Sequence, residues 1–236
     1  MHSLALPLLV ALIAIALAFD FLNGLHDAAN AIATVVSTQL LSPAMAVVFA
    51  ALGNFAAYWI VGLHVAETVG KGIIDKDAVT PAVVFGALVG AIAWNVLTWV
   101  RGIPSSSSHA LIGGLLGAGI ARSGFGVVES SGTTKTLVAI VLSPMIGFAI
   151  AMLLMLLTSV VFQRVHPRRA NNIFKALHVV SSAAYSISHG GNDAQKTMGI
   201  IAVLLYSTGH LHGRFHVPEW VVLSCYAAIS LGTLSG

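Results

Sequence analysis

Charge is the scarcest property of this chain. Only 8% of its 236 residues are Asp, Glu, Lys or Arg, where a soluble domain carries roughly 25%. A surface facing water on every side cannot be built from so few charges, so lipid must cover much of it. Cysteine is nearly absent too. The single Cys225 excludes a disulfide framework within the chain, and its apolar surroundings read as packing. Ten histidines occur without a Cys-x-x-Cys or His-Glu-x-x-His pattern, so no dedicated zinc centre is expected. His210, His212 and His216 fall between two apolar runs and read as a solvated loop. No Gly-x-Ser-x-Gly elbow is present, which argues against a common serine-hydrolase arrangement. The net charge of +3 is spread over the gaps between apolar runs rather than gathered in a stripe. Nucleic acid is therefore not expected as a partner.

What the chain has instead is 57% hydrophobic residues and a mean hydropathy of +0.92. They fall in runs at 4–19, 44–63, 81–100, 109–121, 136–162, 176–187, 198–206 and 219–234. In lipid only helices and closed barrels satisfy their own backbone. Barrel strands would alternate apolar and polar residues over about ten positions. These runs are unbroken and rich in Ala, Leu, Val and Ile, so the expected fold is all-α: a polytopic helical membrane protein. The runs at 4–19, 109–121 and 198–206 are short for a crossing, which predicts broken or re-entrant helices. The first run is expected to be a retained membrane helix. No Lys or Arg precedes it, and no small-residue cleavage site follows before Asp20. Of the gaps, 67–80 carries mixed charge. The gap from Gln163 to Lys175 carries Arg164, Arg168, Arg169 and Lys175 with no acid, which predicts a cytoplasmic loop.

The chain also repeats itself. Asn23-Gly24-Leu25-His26-Asp27-Ala28-Ala29-Asn30 aligns with His189-Gly190-Gly191-Asn192-Asp193-Ala194-Gln195-Lys196 at an offset of 166 residues, from Asp27 to Asp193. Both copies set an acid near glycine inside apolar sequence. Duplicated interruptions of this kind point to a transporter binding site. Asp20, Asp27 and Asp193 are the acids placed within the membrane. Each would cost at least about 2.5 kcal/mol if ionised at the bilayer centre, so each stands near an interface or lines a site. The repeat favours the site for Asp27 and Asp193; the counterpart of Asp20 is Ser186. His26 and His189 are read as neighbours of that site. Asn23, Asn30, Thr34, Asn192 and Gln195 supply oxygens suited to a hard cation.

A second element, Gly102-Ile103-Pro104-Ser105-Ser106-Ser107-Ser108-His109, follows the run 81–100. Pro104 can end a helix, and the serines can cap the next one, where free N–H groups and hydroxyls suit an anion. Three domains are expected: a first repeat over 1–125, a connecting span with the basic segment over 126–175, and the start of a second repeat over 176–236.

At Asn23–Thr38 with Leu41-Ser42-Pro43, at Pro104–His109 and at His189–Ile201, the chain resembles the PiT family of inorganic phosphate transporters. The resemblance runs from the first helix to the last residue. It implies an inverted repeat around a central site and transport of phosphate with sodium or protons, without an organic cofactor. By motif, Asp27 and Asp193 would hold coupling cations and face phosphate. Ser106, Ser107 and Ser108 would donate to phosphate oxygens. Asn23, Asn30 and Asn192 would support cation or substrate. The similarity to bacterial members implies a multi-pass protein of the inner cell membrane.

The family's second Pro-Ser/Thr-rich motif is expected near position 270, 166 residues beyond Pro104, and this sequence ends at Gly236. The expectation is therefore either a fragment or a site completed by a second copy in a homo-oligomer. Sulfate transport is the nearest rival. Phosphate is favoured because it can donate a hydrogen bond to a carboxylate when protonated. An intramembrane serine hydrolase using Ser108 and His109, and a scaffold subunit, are rivals from other classes. Two bare carboxylates would repel phosphate by about 4 kcal/mol per like-charge pair at 4 Å and an effective dielectric of 20. Cations at Asp27 and Asp193 would remove that barrier, as would phosphate travelling as a neutral metal complex.

Overall fold

A computed structural model describes residues 5–63, 66, 73–75, 78–211 and 215–236. Among them the structure is helical throughout, with one isolated antiparallel bridge between Ile74 and Val128. In chain order the helices are α1 (Leu6–Ser37), α2 (Pro43–Ile60), α3 (Pro81–Arg101), α4 (Ser107–Ser123), α5 (Ser130–Phe162), α6 (Pro167–Ser207) and α7 (Glu219–Ser235). Helices α1, α2, α3 and α5 are long and apolar enough to cross a membrane.

Local chemistry sets the boundaries. Ser42 and Thr80 cap α2 and α3 by accepting from Met45 N and Val83 N at 3.4 Å each, and prolines follow both caps. Proline there loses an N–H that would have no helical partner anyway. Gly102 closes α3 in the left-handed region at φ 62°, which only glycine enters without penalty. Pro104 then keeps the chain out of helix until Ser106 caps α4.

The expectation of broken helices holds at 102–106 and fails at the repeat. Helix α1 runs unbroken for 32 residues through Asn23–Asn30. Helix α6 runs unbroken for 41 residues through His189–Lys196. The polar motifs interrupt the apolar pattern, not the backbone. At 1.5 Å per residue α6 is about 60 Å long, more than the roughly 40–45 Å of a whole bilayer. The expected basic loop over 163–175 is a correction of the same kind. Only a short turn precedes Pro167, and Arg168, Arg169 and Lys175 lie on the first turns of α6. Most of the expected mixed-charge loop at 67–80 falls outside the described residues.

Packing around the motifs depends on glycine. A Cβ on Gly24 of α1 would overlap the carbonyl oxygen of Ile229 on α7, and one on Gly232 of α7 would overlap that of Phe21. A Cβ on Gly190 of α6 would lie 2.6 Å from both Cα and the carbonyl oxygen of Asn54 on α2. So the glycines that align in the repeat do the same job. Each lets its own helix touch the backbone of another, α1 against α7 and α6 against α2. Close backbone approach through small residues is how helices associate in lipid, where no hydrophobic drive separates apolar side chains from their solvent. Helix α5 stands apart, with no buried residue along its 33 positions.

Candidate functional site

The continuous helices bring the two copies of the motif together. On α1, Asn23 and Asp27 are one turn apart and share a face. On α6, His189, Asp193 and Lys196 do the same. Asn23 Nδ2 donates to Asp193 Oδ2 at 3.3 Å across 170 residues of sequence. His189 Nε2 lies 3.5 Å from Asp27 Oδ2 and 3.8 Å from Asp193 Oδ2, between the two carboxylates. His26 Nδ1 lies 3.6 Å from Asp27 Oδ1, and Asn30 Nδ2 donates to that oxygen at 3.3 Å.

Lys196 completes the cluster. Its ammonium lies 2.6 Å from Asp193 Oδ1 and also donates to Ser108 Oγ. It thereby ties the start of α4 to α6. The Asp27, Asp193, His189 and Lys196 side chains are 10–18% exposed, so the cluster is largely withdrawn from water yet not sealed. Two carboxylates against one ammonium leave an excess of negative charge in surroundings that amplify it. One ligand atom each from Asp27, His189 and Asp193 falls within 4.8 Å of the others, a spacing at which one ion could bind all three.

A supporting layer lies behind. Asn54 Oδ1 is 3.2 Å from His189 Nδ1, and Asn54 Nδ2 donates to Thr233 Oγ1 at 2.8 Å. Thr233 in turn reaches Gly24 O at 3.3 Å. This chain orients the imidazole and joins the two glycine contacts into one polar seam.

The expected residues thus divide. Asn23, Asp27, Asn30, Asp193 and Ser108 meet. Ser106 is the cap of α4, accepting from His109 N at 3.4 Å. Ser107 is buried, and its hydroxyl has no protein partner. Asn192 does not join. It is exposed, and its amide bonds Ser188 O at 2.8 Å and Ser188 Oγ at 3.3 Å on its own helix. Adjacent helical positions point about 100° apart, so a residue beside Asp193 in sequence cannot face the same way. Lys196, Asn54 and Thr233 were missed. The signal for Lys196 was a lysine three residues from a membrane acid. For Asn54 and Thr233 it was a polar residue standing among apolar ones in the runs 44–63 and 219–234. His109 is exposed, and the group that engages Ser108 is Lys196 rather than His109. In the expected histidine loop, His210 Nδ1 lies 3.1 Å from Thr208 Oγ1, and His212 falls outside the described residues.

Comparison with known proteins gives a consistent result. The model of the phosphate transporter family matches residues 23–236. A probable low-affinity inorganic phosphate transporter of Rhizobium meliloti (strain 1021) is 62% identical over 99% of this chain, which spans 70% of that relative. One of the same description from Bacillus subtilis (strain 168) is 43% identical, over 99% of this chain and 71% of its own length. Among solved structures, a sodium-dependent phosphate transporter superposes with a TM-score of 0.88 at 22% identity, over 97% of this chain and 75% of that one.

Proposed function

The chain belongs to the phosphate transporter family, and from that premise we propose that it carries inorganic phosphate across the inner cell membrane in symport with sodium or protons. Its family consists of transporters, so the hydrolase reading is set aside. The observation that carries the proposal is the meeting of Asp27 and Asp193, drawn from two copies of one motif, with Lys196 and Ser108 at the same place.

The cluster's charge explains coupling. Lys196 offsets one carboxylate, and the other repels an entering anion. A cation held by Asp27 and Asp193, whose carboxylates Asn23 and Asn30 orient by donating to them, cancels that repulsion. Phosphate then meets the ammonium, the Ser108 hydroxyl and the free N–H groups at the start of α4. Cation and phosphate each raise the other's affinity, as linkage requires. Ser106 and Ser107 stand at the same helix start, Ser107 with a hydroxyl to offer. A protonated phosphate can donate to Asp27 or Asp193. Sulfate cannot, which favours phosphate over sulfate.

A second reading has its own support. One imidazole and two carboxylates within 4.8 Å suit a divalent ion, so phosphate could travel as a neutral metal complex. The test is uptake of radiolabelled phosphate into proteoliposomes, with cold sulfate as competitor and sodium, pH and divalent cations varied in turn. Saturable uptake that resists sulfate and follows a sodium or proton gradient is expected. Uptake abolished by a chelator, with neither gradient needed, would favour the metal complex. Uptake inhibited equally by sulfate would contradict phosphate selectivity.

A further inference from the structure

The basic start of α6 has no role in this scheme. No acid occurs between Glu129 and Asp193, and Arg164, Arg168, Arg169 and Lys175 all fall inside that interval. All four are exposed. No residue of α6 before Ser182 is buried, so the other helices leave this stretch uncovered. At 1.5 Å per residue the stretch 167–181 spans about 22 Å. That is close to the roughly 15–20 Å by which α6 exceeds the thickness of a bilayer.

The stretch is two-faced. At about 100° per residue, Ile173, Phe174, Leu177 and Val180 fall within an arc of about 120°. They are 38–64% exposed. Arg168 and Lys175, two turns apart, share the opposite face with Asn171 and Asn172, and Arg169 flanks it. Residues 168–180 thus form a basic amphipathic helix whose apolar face no other helix covers. Helix α5 sets its level. The Phe174 ring packs against that of Phe162, with centroids 4.7 Å apart. Phe162 is the last residue of α5, which is long and apolar enough to cross a membrane. The amphipathic stretch therefore begins where a membrane-crossing helix ends.

We propose that the segment from Arg164 to Val180 lies at the membrane surface and binds the headgroup phosphates of anionic phospholipids. Ile173, Phe174, Leu177 and Val180 enter the outer acyl region. Arg164, Arg168 and Lys175 reach the headgroups, where a guanidinium meets a phosphate through paired N–H groups. Water alone would leave the apolar arc exposed, and hydrocarbon alone would strand the cations. An acidic protein would pair with the cations and leave the arc uncovered. The headgroup boundary of an anionic leaflet meets both faces at once. None of these residues belongs to the Asp27–Asp193 cluster, so the surface stands apart from the transport reading.

The experiment reconstitutes the full chain in phosphatidylcholine nanodiscs with a trace of spin-labelled phosphatidylglycerol or spin-labelled phosphatidylcholine. Electron paramagnetic resonance reads the lipid held at the protein surface. The chain should prefer phosphatidylglycerol by about threefold or more. Arg164→Gln/Arg168→Gln/Arg169→Gln/Lys175→Gln changes only exposed side chains and should remove the preference. Arg101→Gln/Arg122→Gln, at other helix ends, should keep most of it. Equal losses in the two variants would reduce the effect to net charge and overturn the proposal. So would displacement of the labelled lipid by inorganic phosphate, which would assign the cations to the free anion. A second measurement fixes the orientation. Nitroxides are placed singly at Leu177→Cys and Asn171→Cys, with Cys225→Ala removing the native thiol. The label at 177 should be reached more readily by oxygen, which dissolves in hydrocarbon, and the label at 171 by a water-soluble nickel chelate. Labels equally open to the nickel chelate would place the segment in water, and labels shielded from both reagents would mean a protein covers it. Either result would overturn the proposal, whatever the transport assay gives.

Discussion

Helices α5 and α1 make an instructive pair. Both are more than 30 residues long and apolar enough to cross a membrane. Helix α1 buries ten residues, among them Asp20 and Asn23, and touches α7 at Gly24. Helix α5 buries none, and it exposes Leu153, Met155 and Phe148 at 65–75%. Apolar character therefore says where a helix can sit and nothing about what it packs against. In water the greasier helix would be the more buried. In lipid that drive is gone, and what gathers helices is close backbone contact and polar pairing. The polar residues of α1 and α6 mark the packed part of the molecule.

That contrast can be broken by substitution, and the largest effect is expected at the glycine contacts. Gly24→Val puts a branched side chain against the backbone of Ile229. It should cost about 3 kcal/mol or more, seen as loss of the monodisperse peak in fluorescence-detected size-exclusion chromatography. Next comes Lys196→Met, which strands Asp193 with only Asn23 and His189. Removing one partner of a fully buried pair costs about 3–5 kcal/mol. The 18% exposure of Lys196 discounts that to about 2 kcal/mol, which a thermal melt should register. Phosphate uptake should fall with it, since the anion loses the ammonium that stands beside Ser108 and Asp193. Asn192→Ala removes only bonds within its own helix and should leave uptake within about twofold of the parent, or less than roughly 0.5 kcal/mol. Leu153→Ala on α5 should shift the melt by no more than about 0.5 kcal/mol. A large effect at Leu153 would mean that α5 has a protein partner after all.

The same contrast explains what could be read from the sequence. Asp27 and Asp193 were legible because the repeat tied two distant acids to one pattern, and the structure brings their side chains to the same nitrogen, Nε2, of His189. The break at Pro104 was legible because proline and glycine act locally. The continuity of α1 and α6 was not. Glycine, asparagine and aspartate weaken an isolated helix, but Gly24 and Gly190 are held by the backbones they touch. The outward turn of Asn192 follows from helical geometry, so it could be read only once the motif was known to be helical. Lys196 stood in the aligned repeat with no role given to it. Its role depends on Ser108, 88 residues away, and no spacing rule carries that distance. Nothing in the uniform apolar pattern of α5 announced that it would stand apart.

The central claim is that Asp27 and Asp193 make phosphate binding depend on a cation. The most direct test is equilibrium binding of radiolabelled phosphate to the purified chain over rising sodium, and separately over falling pH, for the parent and for Asp193→Asn. The account predicts that one of these titrations tightens phosphate binding in the parent by about tenfold or more, the worth of roughly 1.4 kcal/mol of coupling, and that Asp193→Asn flattens it. An Asp193→Asn variant that kept both the parent's phosphate affinity and its full cation dependence would contradict the account.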